Sequence, residues 1–107
     1  MHARSNGLWV GWPGVPRTTD DVAARIDARL ADESVAQVSL DACDVAEFYG
    51  RFSNGVLWPV LHDRPDLVPA RLTGWPRYRD VNVRFAAAVS ARLRPSDVAW
   101  VHDYHLM

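Results

Sequence analysis

Residues 97–107 read DVAWVHDYHLM, and the reading of this stretch decides the fold. Val98, Ala99, Trp100 and Val101 form a short run with no polar member. Such a run suits a strand of a parallel sheet buried on both faces. The acid that follows, Asp103, then stands just past the strand's carboxyl end. In open α/β sheets, ligands bind outside the carboxyl ends of strands. A carboxylate there can accept hydrogen bonds from sugar hydroxyls or act as a base. Aspartate is equally favoured as a helix N-cap, so position alone leaves both roles open.

Working outward, the preceding stretch WPRYRDVNVRFAAAVSARLRP, from Trp75, has the clearest helical period in the chain. Pro76 suits a first turn. Tyr78, Val81, Phe85, Ala88 and Leu93 make an inward stripe, and Pro95 ends it. Residues 62–76 hold three prolines and no period, so they read as a loop. At the other end, GLWVGW (residues 7–12) reads as a buried strand that PGVP breaks. TTDDVAARIDARLA reads as a helix with Val22, Ile26 and Leu30 on one side. SVAQVSL (residues 34–40) reads as a second strand. Asp41 or Asp44 caps a helix carrying Val45, Phe48, Tyr49 and Phe52, which Ser53-Asn54-Gly55 is expected to interrupt. The order of strand, helix, strand, helices and strand is that of an α/β domain with a parallel sheet. Strands are expected at Leu8–Val10, Val35–Ser39 and Val98–Val101, with the helix from about Trp75 to Leu93 packed on them. These are too few strands for a whole doubly wound domain, so the chain reads as a piece of a larger protein.

Composition narrows the function classes. The 107 residues are 49% hydrophobic and 23% charged, which is enough for one core. The net charge of -1 without a basic block argues against a nucleic-acid surface. One cysteine, Cys43, allows neither an internal disulfide nor a cysteine-rich metal site. No leader or membrane-length apolar run is visible, so a cytoplasmic setting is expected. Five tryptophans are many for this length, and aromatic rings suit sugar surfaces as well as cores. Trp9 lies within the first strand and is expected in the core. Trp12, at its carboxyl end, is placed to line a cleft. Tyr49 and Trp58 flank the Ser-Asn-Gly segment and can offer a hydroxyl and an indole N–H to a phosphate or sugar oxygen. His102 and His105, three apart, and His62 read as imidazoles satisfied locally rather than as metal ligands. Arg51, Arg64, Arg71, Arg77 and Arg79 could meet a phosphate, but each reads first as a solvated charge. No glycine-rich phosphate loop is present.

Four strings, GLWVGWPG, EFYGRFSNGVLWPVLH, WPRYRDVNVRFA and DVAWVHDYHLM, occur in this order and spacing. Together they resemble the trehalose-6-phosphate synthases, retaining glycosyltransferases of GT-B architecture. The resemblance covers nearly the whole chain and is weakest across residues 15–45. It implies a partial Rossmann-like domain, the N-terminal, acceptor-binding half of a GT-B enzyme, with the donor-binding half absent from these residues. It implies that Tyr49 and Trp58 contact glucose 6-phosphate, chiefly its phosphate. Trp12, with Trp9 as second choice, lines the same pocket. Asp103 contacts the acceptor near its reacting hydroxyl, and Ser53 and Asn54 act as support. The implied reaction moves glucose from a nucleotide sugar, UDP-glucose above all, to glucose 6-phosphate with retention. It needs no cofactor and no essential metal, and no nucleic-acid or membrane partner is expected. The association state of the parent protein stays open. Transfer is expected only of the full-length parent, not of these residues alone. Siblings on the same scaffold remain open: a glucosylglycerol-phosphate synthase, a pseudo-glycosyltransferase, or a non-catalytic sugar-phosphate sensor.

Overall fold

The computed structural model describes residues 7–16, 24–25, 28–29 and 34–107. Two short strands, β1 (Trp9–Gly11) and β2 (Val35–Gln37), pair in parallel with Trp9 opposite Val35 and Gly11 opposite Gln37. The helix expected over TTDDVAARIDARLA lies largely outside the described residues.

After β2 the chain is helical from 42 to 61. Asp41 is the N-cap of α1 (Ala42–Asp44). Its carboxylate accepts the Asp44 N–H at 2.7 Å, and the Asp44 carboxylate accepts the Asp41 N–H at 3.0 Å. This reciprocal pairing satisfies two otherwise orphaned donors, so both candidate caps act together. Next comes a wide π-helix, Val45–Leu57, and then α2 (Trp58–Leu61). The expected interruption at residues 53–55 does not occur. The fully buried Ser53 hydroxyl donates to the Phe48 carbonyl five residues back, at 2.7 Å, and the Trp58 N–H donates to the Ser53 carbonyl. The helix absorbs the Ser-Asn-Gly segment by widening instead of breaking. Pro59, which lacks an N–H, falls in the first turn of α2, where that loss is tolerated.

A 3-10 turn (Pro65–Leu67) lies within the expected loop, and α3 runs Trp75–Ser90 with proline in its first turn. Gly74 enters α3 at a φ of 90°, and a β-carbon there would stand 2.7 Å from the Glu47 carbonyl oxygen. That contact seats the start of α3 against the wide helix.

The core joins Val38 and Leu40 after β2, Phe48, Phe52 and Val56 of the wide helix, and Tyr78, Val81 and Phe85 of α3. Phe52 and Tyr78 rings lie 4.7 Å apart at its centre. Leu93, expected on the stripe, is exposed and lies past the end of α3 at Ser90. Trp9, expected in the core, is 68% exposed. Strand side chains alternate between faces, and in β1 it is Val10 that packs against the core.

The third strand is not formed. Residues 97–102 join no ladder, and Val98 and Trp100 are 91% and 82% exposed. An apolar run carries the propensity for a buried strand, but a strand exists only through pairing. The segment meets β1 by side chains, with the His102 and Trp9 rings stacked 6.1 Å apart. The architecture is α/β, a parallel strand pair backed by helices. Among the described residues no helix is long and apolar enough to cross a membrane.

Candidate functional site: an aromatic ledge beside Asp103

The width of the helix over Val45–Leu57 determines what its surface presents. Tyr49 and Trp58 are nine residues apart. In an α-helix of 3.6 residues per turn that is two and a half turns, which sets them on opposite sides. Two turns of an i→i+5 helix take in about nine residues, so here they share a side. The segment after Asp103 lies along that side and joins them. The Tyr49 ring stacks on His105 at 5.0 Å and 10°, His105 on Tyr104 at 4.2 Å, and Tyr104 meets Trp58 at 5.2 Å. Trp12 extends the row at 6.1 Å from Tyr49, and His62 closes the other end, 3.8 Å from Trp58.

The sequence-predicted residues thus converge on one ledge. Tyr49 and Trp58 are 41% and 48% exposed, so both rings are partly open to solvent on the ledge. Trp12 spends its indole N–H on the Val15 carbonyl at 3.0 Å and offers only its ring. Trp9 sits apart, against His102. Asp103 is exposed, with a φ of 69°. One carboxylate oxygen accepts the Tyr104 N–H at 2.7 Å, and the other lies 4.0 Å from His105 Nδ1. Asp103 opens a turn at residues 104–105.

The turn is clamped from α3. The Tyr78 hydroxyl donates to the Tyr104 carbonyl at 3.0 Å. Asn82 donates to the His105 carbonyl at 3.4 Å and accepts the Met107 N–H at 2.8 Å. From the wide helix, Asn54 accepts the Tyr104 hydroxyl at 2.7 Å. Burial raises the Tyr78 pKa, against a smaller lowering by Asn82. Partial burial, then the Asp103 charge, then Tyr49, raise that of Tyr104. Both phenols therefore stay protonated as donors at neutral pH.

Tyr78, Asn82, Tyr104 and His105 were not among the expected site residues. Asn82 carried a signal, since an amide one turn after an inward tyrosine needs a partner. His62 is locally satisfied, its Nδ1–H donating to the Trp58 carbonyl at 2.7 Å. His102 and His105 belong to no group of three potential metal ligands among the described residues. Three of the five arginines are committed elsewhere: Arg51 to Glu47, Arg64 to Asp66, and Arg77 to Asp44. Asp44 is 2% exposed and also pairs with Arg84 at 2.8 Å. Burial pushes its carboxyl upward, but hydrogen bonds from Arg84, the Asp41 N–H and Arg77 outweigh this and hold it below the usual carboxylate range.

Residues 1–107 match the model of the family described as Glycosyltransferase family 20. The chain belongs to that family. It is 41% identical over 100 residues to the bifunctional trehalose-6-phosphate synthase/phosphatase of Thermoproteus tenax, covering 94% of this chain and 13% of that protein. It is 40% identical over 104 residues to a trehalose-6-phosphate synthase of Mycolicibacterium gilvum, covering 96% of this chain and 21% of that one. The crystal structure of an alpha,alpha-trehalose-phosphate synthase (UDP-forming) from Burkholderia vietnamiensis superposes with a TM-score of 0.69 at 35% identity, over 94% of this chain and 22% of that one. The α/β fold of this family 20 chain therefore corresponds to part of a GT-B glycosyltransferase, and it spans about a fifth or less of these relatives.

Proposed function

We propose that this chain is the acceptor-side part of a longer trehalose-6-phosphate synthase, whose remaining residues bind the nucleotide sugar. The full-length protein transfers glucose from UDP-glucose to glucose 6-phosphate with retention, giving trehalose 6-phosphate and UDP. The observation that carries this reading is the convergence of Trp12, Tyr49, Trp58 and Asp103 on one ledge. The Tyr49 hydroxyl and Trp58 indole N–H are donors suited to the acceptor's phosphate. The Trp12 ring covers a sugar face. Asp103, an acceptor-only carboxylate when ionised, orients the sugar hydroxyl that attacks the donor carbon. Such orientation turns a two-body encounter into a positioned reaction. Names of similar proteins support both the product and the UDP leaving group. A lone free, exposed Cys43 suits a reducing, cytoplasmic setting.

The test is UDP release by the full-length protein from UDP-glucose with glucose 6-phosphate, with the disaccharide phosphate identified by mass and by linkage. Transfer to glycerol 3-phosphate or to a cyclitol phosphate in preference to glucose 6-phosphate would replace the acceptor. No transfer to any acceptor would leave a sensor in place of an enzyme.

A further inference from the structure

Asn54 and Tyr104 stand 50 positions apart in sequence and meet at 2.7 Å, hydroxyl to amide oxygen. The bond is exposed, so it contributes little to folding. Exposed polar groups exchange a partner for water at small net cost. Its position is more telling than its strength. Asn54 lies on the wide helix midway between Tyr49 and Trp58, and Tyr104 directly follows Asp103. The bond therefore ties the stretch of chain bounded by Tyr49 and Trp58 to the turn carrying the carboxylate. The Tyr104 ring also fills the space between Trp58, at 5.2 Å, and His105, at 4.2 Å, while His105 leans on Tyr49. Tyr78 and Asn82 hold the backbone of the same turn against α3. They hold it against α3, and among the described residues Asn54 supplies its side-chain hydrogen bond to the wide helix.

We propose that the Tyr104–Asn54 hydrogen bond is a latch that sets the span between Asp103 and the Tyr49–Trp58 pair, making Asn54 and Tyr104 positioning residues for a phosphorylated sugar acceptor. The inference rests on the acceptor reading of the ledge and adds what determines its width. A sugar phosphate needs its phosphate and its reacting hydroxyl held at once, a fixed distance apart. A latch between the two holding elements selects that distance. With the hydroxyl removed, the Tyr104 ring still packs and the clamp from α3 remains, but the directional tie that fixes the turn against the wide helix is lost. The site then loses affinity for the acceptor, not for the donor, which is held elsewhere in the full-length protein.

The experiment is a double-mutant cycle in the full-length enzyme with Tyr104→Phe, Asn54→Ala and the pair. KM for glucose 6-phosphate, KM for UDP-glucose, kcat and thermal melting are measured on each. Each single variant is expected to raise KM for glucose 6-phosphate about threefold to tenfold, the scale of one neutral hydrogen bond. KM for UDP-glucose and the melting temperature stay near the parent values, and the double variant is no worse than either single, as for two ends of one interaction. Additive effects in the cycle, or equal changes in both KM values, would overturn the latch. So would acceptor KM values within twofold of the parent while the parent is active. A parent without transfer to glucose 6-phosphate would remove the acceptor reading itself, and the latch with it.

Discussion

Asp103 holds a φ of 69°, in the left-handed region that non-glycine residues enter mainly as Asn or Asp. Its carboxylate accepts its own neighbour's N–H, lies 4.0 Å from His105 Nδ1 and is largely exposed. Asp103→Asn keeps this backbone and the shape but removes the charge and one acceptor oxygen. In the full-length enzyme we expect turnover to fall about a hundredfold or more, the scale credited to lost orientation or proton transfer. The melting temperature should stay nearly unchanged, because asparagine tolerates the left-handed backbone and caps a helix nearly as well as aspartate. Steady-state kinetics with a thermal melt check both, and near-normal turnover would remove Asp103 from the site. Gly74 shows the opposite balance. Gly74→Ala must place a β-carbon 2.7 Å from the Glu47 carbonyl at a φ of 90°. A cost of about 1–3 kcal/mol is expected from the backbone strain, and denaturant unfolding measures it. Asp103 stood out as a candidate from its place after an apolar run, although that run forms no strand here. Gly74 was not, because its need arises from a neighbour 27 positions away.

At the scale of elements, what could be read followed from how local each signal is. The cap at Asp41 and Asp44 and the start of α3 at Trp75 were visible, because caps and proline placement are written within a few residues. The course of the wide helix was not. Asn-Gly and Trp-Pro are breakers in an α-helix, and only the buried Ser53 hydroxyl, bonded five residues back, shows why they are tolerated. Ser53→Ala removes that bond while leaving the space nearly filled. We expect a loss of about 1 kcal/mol in unfolding free energy, typical of one side-chain hydrogen bond. A larger effect on acceptor KM should accompany it in the full-length enzyme if the helix narrows. The apolar segment at 98–101 shows the complementary limit. Its composition is that of a strand, but composition cannot supply the neighbour that a ladder requires.

For the molecule as a whole, Asp44 is a buried carboxylate committed to both Arg77 and Arg84 across the junction of α1 and α3. Its folded pKa is depressed. The stabilisation is therefore complete above the unfolded value of about 3.9 and is lost as pH falls through the lower folded value. Asp44→Asn should lower stability at pH 7 and flatten the acid limb of a melting-temperature profile. An unchanged limb would mean the cluster contributes nothing to acid sensitivity. Expressed by itself, the 107-residue chain should release no UDP from UDP-glucose and glucose 6-phosphate, since on the proposed reading it supplies acceptor contacts only. It should also self-associate as concentration rises, because Val98, Trp100 and Val101 leave apolar surface open. An activity assay and sedimentation velocity read the two.

The wide helix has a consequence for anyone redesigning this region. Its spacing works as a ruler graduated in nines, so the two donors on the ledge are aligned by a hydrogen-bond rung length and not by the letters between them. Deleting one residue between Tyr49 and Trp58, or swapping in a regular helix of the same length, could preserve both side chains and the hydrophobic content. It would still turn Trp58 away from Tyr104. An alignment scored on residue identity would rate such a chimera as intact, while its ledge would have been dismantled by rotation.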